Sequence, residues 1–198
     1  MIEKKFNSSH HGVDPEFNSG MQHIKGEQMP DIHAVASAYI KDLFEDRWCH
    51  LFRLDLPAGE TLADHDTGPR VIILLSGLKG RRVADGSELN AAKGQVMYLE
   101  NRFAGAMTNT GDDLSYLVCS LHQANQRSTH WPLAPDGCQT VLSTPQCAVW
   151  QVDQSASLQC PVAVLHHSLT NPTVNPCQAE QLIQAMPTDV LIAVAGRR

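Results

Sequence analysis

The sequence predicts a mostly β chain folded as a sandwich or barrel, and three observations support this prediction. Short apolar runs of strand length follow one another from residue 48 to residue 121. Gly, Asn and Asp stand between these runs, where tight turns need them. No long helical pattern separates consecutive runs, so the alternation typical of a parallel βαβ fold is missing.

Length and charge narrow the classes of protein further. The 198 residues predict one domain with room for an appendage, and the 42% apolar content suffices for a hydrophobic core. The net charge of −6 argues against a nucleic-acid partner, because phosphate binding needs clustered Lys and Arg. The nearest basic run, KGRR at residues 79–82, is expected to be a solvated turn between strands.

Nothing in the sequence predicts a membrane span or export. The longest apolar run, VIILL at residues 71–75, is far shorter than the roughly 20 residues that a membrane helix needs. The N-terminus lacks the apolar core of a signal peptide, so a cytoplasmic location is expected.

The six cysteines are expected to be free and mostly buried thiols, because no CxxC pair and no export signal are present. A zinc site of His166 or His167 with Cys160 or Cys177 is a weaker alternative. Adjacent histidines on a strand point to opposite faces, so they rarely share one metal.

The N-terminal segment is polar and shows no hydrophobic pattern. Its stretch HHGVDPEFNSG resembles a translated cloning linker, and Met21 is an alternative natural start. Residues 1–28 are therefore interpreted as a disordered or cloning-derived leader. In the next segment, DIHAVASAYIKDLFED at residues 31–46, apolar residues near helical spacing predict a helix, and a strand remains open.

The barrel itself is predicted over residues 29–123. Turn sequences such as PAGE, SGLKG and TGDD separate its strands. The predicted strands are WCHLFRLDL (48–56), RVIILL (70–75), RRVAD (81–85), QVMYLE (95–100), GAMTN (105–109) and LSYLVCSL (114–121).

The tail, residues 124–198, is richer in Pro, Gln, Ser and Thr and is predicted as an α+β extension. Strands are predicted for QCAVWQVD (146–153), VAVLHHSL (162–169) and DVLIAVAG (189–196). A helix is predicted for PCQAEQLIQAM (176–186), with Pro near its first turn. Because QCAVWQVD faintly resembles RWCHLFRLD, the tail is either an eroded second barrel half or a cover over the first barrel.

One turn before a predicted buried strand carries candidate ligands. Gly59 is followed after five residues by His65, and Thr67 comes two positions later. Arg70 and Val71 then begin the apolar run. A second stretch carries candidate residues at defined spacings. Five residues separate Gly94 from Glu100, one separates Glu100 from Arg102, two separate Arg102 from Gly105, and three separate Gly105 from Asn109.

With these spacings, residues 59–109 resemble the cupin family of small β-barrels. The first cupin motif is Gly, five residues, His-x-His, three or four residues, Glu, six residues and Gly. The second is Gly, five residues, Pro-x-Gly, two residues, His, three residues and Asn. The resemblance implies a cupin-like antiparallel jelly-roll barrel, in which three histidines and a glutamate hold a divalent transition metal.

Of the ligands that the resemblance implies, only His65 is present in this chain. Thr67 stands at the second histidine, Arg70 or Val71 at the glutamate, and Gly105 at the third histidine. These residues cannot hold a transition metal, so no metal, no cofactor and no catalytic residue is predicted. If Arg70 points inward, its guanidinium would attract a carboxylate or phosphate and bind it through two hydrogen bonds.

The sequence thus predicts a metal-free cupin-like protein that binds a small anionic molecule in its barrel. The candidate ligand-binding residues are His65, Thr67, Arg70, Tyr98 and Asn109. Structural roles remain open for four of them: a surface-turn histidine, an edge arginine, a core tyrosine and an asparagine that closes a turn. The resemblance implies a homodimer, because cupin-like barrels often pair, and no nucleic-acid or membrane partner is expected.

Two other functions remain open. A metal-dependent enzyme of dioxygenase or isomerase type would need an unusual ligand set drawn from His50, His65, Glu100 and His122. A non-catalytic interaction protein would have its barrel filled by side chains. No Ser-His-Asp order, phosphate-binding glycine loop or paired-carboxylate spacing indicates a different catalytic site.

Overall fold

The computed structural model describes the sequence from residue 29 onward, with short gaps. The predicted leader, residues 1–28, lies outside the described residues, and so does Thr67. The described residues form one short helix and eighteen strands, which confirms the prediction of a mostly β chain. They are residues 29–66, 68–100, 103–122, 128, 130–168 and 174–197.

The first half of the chain contains the helix and eleven of the strands. They are α1 (Ile32–Ala36), β1 (Ile40–Glu45), β2 (Cys49–Leu56), β3 (Thr61–Leu62), β4 (His65–Asp66), β5 (Arg70–Leu74), β6 (Leu78–Arg82), β7 (Glu88–Ala91), β8 (Val96–Leu99), β9 (Phe103–Ala104), β10 (Met107–Asn109) and β11 (Leu114–Leu121). The second half contains β12 (Cys138–Ser143), β13 (Cys147–Val152), β14 (Ala156–Gln159), β15 (Val164–His167), β16 (Val174–Cys177), β17 (Leu182–Ala185) and β18 (Val190–Val194). Within the described residues, no helix has the length and apolar character needed to cross a bilayer.

Antiparallel sheets build a barrel from the first half. Its large sheet has the order β1-β2-β11-β5-β8, a second sheet has the order β3-β10-β6-β7, and β4 pairs with β9. This arrangement confirms the predicted antiparallel jelly-roll barrel. The segment for which helix and strand were both open contains one of each, because α1 is followed by β1.

Apolar side chains fill the interior of this first barrel. Alternation along β2 directs Phe52, Leu54 and Leu56 inward, where full burial of such a side chain contributes about 1.5–3 kcal/mol. Both sheets and α1 contribute to this inner core, whose buried members are Ile32, Ala36, Phe52, Leu54, Leu56, Leu62, Leu74, Leu78, Leu114, Tyr116 and Val118.

The second half repeats the large sheet of the first. Its strand order, β12-β13-β18-β15-β16, matches β1-β2-β11-β5-β8 strand for strand, and β14 pairs with β17. The registers also correspond: Leu121 pairs with Cys49, and Val194 pairs with Cys147. The two stretches of similar sequence, RWCHLFRLD and QCAVWQVD, therefore occupy the same place in the two sheets.

The hairpins that open the two sheets have the same turn. Asp46 Oδ1 accepts hydrogen bonds from the backbone amides of Trp48 and Cys49, at 2.7 and 3.0 Å. Thr144 Oγ1 accepts the corresponding bonds at 3.2 and 3.1 Å. Each hairpin also has a register shift in its first strand, between Asp42 and Phe44 in one and between Thr140 and Leu142 in the other.

The two large sheets pack against each other through their outer faces. Cys49, Leu51 and Val71 of the first sheet belong to one apolar core with Cys147 and Val149 of the second. Each large sheet is thus buried on both faces, with its own inner core on the other side. This arrangement explains why β5, β11, β13 and β18 are nearly continuous apolar runs.

The predicted helix over residues 176–186 is wrong. These residues contain the end of β16 and the whole of β17 instead. Pro176 lies in the edge strand β16, where the missing N–H is tolerated. In β17, Ile183 and Ala185 are buried whereas Leu182 and Gln184 are exposed, which is the period of a strand. The basic run at residues 79–82, expected as a turn, lies in β6.

Substitution of Gly196, which follows β18, tests the contact between the second half and Trp48 of the first half. Gly196 has φ of 86°, and a Cβ there would lie 2.5 Å from the Trp48 ring. Gly196→Ala should lower the free energy of unfolding by about 2–5 kcal/mol, from the left-handed backbone and the steric clash together. Urea unfolding monitored by circular dichroism measures this loss.

Gly86→Ala is the matched control for this substitution. Gly86 has φ of 72°, but nothing lies within 4 Å of the added Cβ, so only the backbone term of about 1–2 kcal/mol is expected. Equal losses in the two variants would show that the Trp48 contact is not close.

Candidate functional site

The cupin-type metal position does not fit a metal in this chain. His65, in β4, is 5% exposed, and its Nδ1 lies 2.7 Å from the Ala63 carbonyl oxygen. Val71 belongs to the core between the two large sheets, which is the outer face of the barrel. Arg70 takes the inward position, and its guanidinium cannot bind a cation.

Strand alternation places Arg70 inside the first barrel. Ile72 and Leu74, on the same face of β5, pack in the inner core. Arg70 is 4% exposed, and its Nη1 donates a hydrogen bond to the Gly68 carbonyl oxygen at 3.0 Å. Burial lowers the pKa of Arg70 to about 10, although the charges of Tyr116 and Asp66 act in the opposite direction.

His65 and Arg70 are electrostatically coupled neighbours. Burial is the main cause that lowers the pKa of His65, and the positive charge of Arg70 lowers it further. The hydrogen bond to Ala63 and the carboxylates of Asp31 and Asp64 oppose this shift. The structure thus brings together two of the predicted site residues, both basic and both buried.

Tyr116 is a neighbour of Arg70 that the sequence analysis missed. It lies on β11 and belongs to the inner core of the barrel. Burial raises the pKa of its phenol, and the charge of Arg70 partly offsets this increase. Its position follows from the alternation of β11 once the register with β5 is known, because Tyr116 pairs with Leu74.

Two other predicted residues do not join this group. Tyr98 pairs with Val71 and packs in the core between the sheets, on the face of β8 that points away from the barrel interior. Met97 takes the inward position instead, next to Ile72.

Asn109 closes a turn, which is the role that the sequence analysis gave as the alternative to ligand binding. Its Nδ2 donates to the carbonyl oxygens of Leu56, Pro57 and Asp112 at 2.8–3.1 Å, and its Oδ1 accepts from Gly111. The buried amide is therefore fully engaged with backbone groups and is not directed at a ligand.

A second polar group lies on the same face of the large sheet. Arg70 pairs with Ser120, Ser120 with His50, and His50 with Glu45, which forms one row across four strands. Since neighbouring strands lie roughly 4.8 Å apart, His50 is about 10 Å from Arg70 along the sheet.

The imidazoles of His33 and His50 both contact one carboxylate in this second group. Their Nε2 atoms lie 3.1 and 2.8 Å from Asp42 Oδ1. The two rings are stacked, with centroids 4.9 Å apart and planes inclined by 13°. Burial raises the pKa of Asp42, but the hydrogen bonds from both histidines outweigh it, and the net pKa is lowered.

His122 and Glu45 lie on the other side of His50. The ligand atoms of these three residues lie within 4.8 Å of one another. His122 Nδ1 is 3.1 Å from the Asp46 carbonyl oxygen, and its Nε2 is 4.0 Å from Glu45. His50 and His122, two members of the unusual ligand set considered above, thus come together, but with Glu45 as their carboxylate.

In the second half, the adjacent histidines His166 and His167 lie on opposite faces of β15, as the strand period requires. His166 faces the inner side and its Nε2 lies 2.9 Å from Asp189 Oδ2. The same oxygen accepts the amide of Met186 at 2.9 Å. This buried pair stabilises the turn before β18.

Comparisons with known proteins support a likeness of fold only. No family model matches the sequence, and no curated protein matches it. A cupin domain from Bordetella pertussis is 9% identical, with 48% of this chain and 98% of that chain covered and a TM-score of 0.38. An RmlC-like cupin from Desulfovibrio desulfuricans is 11% identical, with 51% and 94% covered and a TM-score of 0.34.

A cupin superfamily protein from Desulfitobacterium hafniense is 12% identical, with 41% of this chain and 74% of that chain covered and a TM-score of 0.34. These matches cover about half of the chain, and at such identities and TM-scores no function follows from them.

Stability should depend on pH through His65. Because the folded chain has the lower pKa at this residue, the unfolded chain binds more protons, and stability falls as the pH drops below about 6.5. His65→Asn, which keeps a donor for the Ala63 carbonyl, should remove this part of the pH dependence. Urea unfolding between pH 5 and pH 8 measures it.

The neutral substitution Thr61→Val is the control, because it removes the 2.8 Å hydroxyl contact with Thr108 without changing a titratable group. Its stability should follow the wild-type pH profile at a constant offset. Parallel profiles for His65→Asn and the wild type would contradict the burial of His65.

Proposed function

We propose that the chain is a cupin-like protein that binds a small anion at the inner, polar end of its first barrel, through Arg70 and without a metal at that position. The observation that carries this proposal is the burial of the Arg70 guanidinium, which is 4% exposed and directed into the barrel.

A buried guanidinium favours an anionic ligand for a physical reason. Removing a charge from water costs several kcal/mol even after the protein relaxes around it. A carboxylate or phosphate oxygen offsets this cost, and the planar fork of the guanidinium can bind two such oxygens at once. The pKa of about 10 leaves Arg70 charged at neutral pH.

One group that interacts electrostatically with Arg70 supplies a further donor. The phenol of Tyr116 can donate a hydrogen bond to an anion, whereas the N–H of a neutral His65 is donated to the Ala63 carbonyl oxygen. Since the pKa of His65 is lowered, Arg70 is the main positive group at this end of the barrel, and the carboxylate of Asp66 acts on it with the opposite charge.

The size of the ligand is limited by the filled interior. Phe52, Leu54 and Leu74 occupy the barrel beyond the polar end. The proposal is therefore confined to small anions, such as a short carboxylate or inorganic phosphate, and not a sugar-sized molecule enclosed in the barrel.

The same filled interior favours one alternative function. A barrel packed with side chains is what a non-catalytic interaction protein would have, with Arg70 as a structural residue. The experiment below separates the two functions.

Arg70→Met should abolish the stabilisation of the protein by its anion. The wild type is screened by thermal shift against acetate, malonate, citrate and phosphate at constant ionic strength. An anion at 100 times its dissociation constant should add about 2.7 kcal/mol to the stability of the wild type. The same anion should leave the melting temperature of Arg70→Met unchanged.

Arg81→Met is the matched control, because Arg81 is exposed on β6 and should not affect the shift. Circular dichroism confirms that both variants are folded. A shift that survives in Arg70→Met would refute the assignment of the site. If no anion stabilises the wild type, the proposal fails and the filled-barrel alternative is favoured.

A further inference from the structure

We propose that α1 and the β1–β2 hairpin form a binding site for one divalent transition-metal ion, such as Zn²⁺, with His33, Asp42 and His50 as ligands. This site is separate from the cupin-type position and from the anion site at Arg70. Imidazole nitrogen and carboxylate oxygen are ligands that Zn²⁺, Ni²⁺ and Fe²⁺ accept.

The three ligand atoms already lie close to metal-binding distances. Metal–ligand bonds of about 2.1 Å in tetrahedral geometry place neighbouring ligand atoms roughly 3.4 Å apart. Here Asp42 Oδ1 lies 3.1 Å from His33 Nε2 and 2.8 Å from His50 Nε2. The ligand atoms of all three residues lie within 4.8 Å of one another, so small side-chain rotations would admit an ion.

The hydrogen-bond count at His33 also favours a cation. Its Nδ1 lies 3.1 Å from Asp31 Oδ1, and its Nε2 lies 3.1 Å from Asp42 Oδ1. A neutral imidazole carries only one N–H, so it can donate to only one of these two carboxylates. A second proton on the ring satisfies both carboxylates, and so does a metal ion bound between Nε2 and Asp42, which leaves Nδ1–H for Asp31.

Asp31 has the position that metal sites usually reserve for a supporting carboxylate. Metal-binding histidines commonly donate their other ring N–H to a carboxylate, which fixes the ring orientation and raises its basicity. Asp31 is itself held as the N-cap of α1, where its Oδ1 accepts the backbone amide of His33 at 2.8 Å. Its place is thus determined by the backbone of the helix.

The second half of the chain shows that the hairpin does not need these residues. By strand pairing, Thr140 corresponds to Asp42, because they pair with Trp150 and Phe52 respectively. In the same register, Ala148 stands where His50 stands in the first half. The second hairpin forms the same turn and register shift with a hydroxyl and a methyl group, so hairpin geometry does not account for the histidine–aspartate cluster.

His122 and Glu45 supply the next ligand atoms around His50. The Nδ1 of His122 is held by the Asp46 carbonyl oxygen at 3.1 Å, which leaves its Nε2 for an ion or for Glu45. His122 and Glu45 are both exposed, so the cluster is open to solvent and an ion can reach it. We assign them a supporting role, because their ligand atoms are farther apart.

Metal binding to the full chain tests this site. Because His10, His11 and His23 lie outside the described residues and can bind metals themselves, all proteins carry Gln at these three positions. Zn²⁺ is titrated by calorimetry, and Co²⁺ by its visible absorption, in a buffer free of phosphate and chelators. One ion per chain is expected, together with a rise in melting temperature.

Four substitutions assign the ligands. His33→Gln, His50→Gln and Asp42→Asn should each weaken Zn²⁺ binding by more than about 100-fold, and Asp31→Asn by about 10–100-fold. His130→Gln, at an exposed histidine of the second half, is the matched control and should bind as the parent does. Melting temperatures without metal show whether each variant is folded.

Either of two results would overturn the proposal. One is a parent protein that binds no ion. The other is a folded His50→Gln or Asp42→Asn variant that binds Zn²⁺ as tightly as the parent. Neither result bears on the anion site, because Arg70 is unchanged in all these proteins.

Discussion

The contact between the outer faces of the two large sheets is the constraint on which the rest of the structure depends. It buries apolar side chains from both halves in one core, with Cys49, Leu51 and Val71 on one side and Val149 and Ile192 on the other. Because successive residues of a strand alternate between faces, this contact decides which side chains enter each barrel. A shift of one residue in β5 would move Val71 inward and Arg70 outward.

The chemistry of the first barrel follows from that register. Arg70 points into the barrel because its neighbour Val71 is required between the sheets. The same alternation places Tyr116 on the same face of the sheet as Arg70 and Tyr98 on the opposite face. In the first half, the inner face of the large sheet therefore has an apolar centre and a polar row at one end, in which Arg70 and His50 are separated by one strand.

Much of the fold could be predicted from the sequence, because short apolar runs and turn residues mark strands directly. The alternation of Ile183 and Ala185 was harder to recognise, since the four residues of β17 fit a helix and a strand equally well. For the site, the burial of Arg70 and the inward residue of β8, Met97 or Tyr98, were both open, because sequence alone does not fix register. The meeting of His33, Asp42 and His50 depends on the N-cap of α1, which Asp31 signals in the sequence, and on a register shift in β1, which leaves no pattern there.

The repeated sheet separates what this architecture requires from what is particular to the first half. Both hairpins keep a turn residue that accepts backbone amides, Asp46 in one and Thr144 in the other, and both keep a buried cysteine at the start of the second strand. These shared features explain the turn and the packing. Asp42 and His50 have no ionisable counterparts in the second hairpin. The counterpart of Arg70 is Val164, which pairs with Ala193 as Arg70 pairs with Ser120. Since one sheet forms without these groups, the architecture itself does not require them in the other.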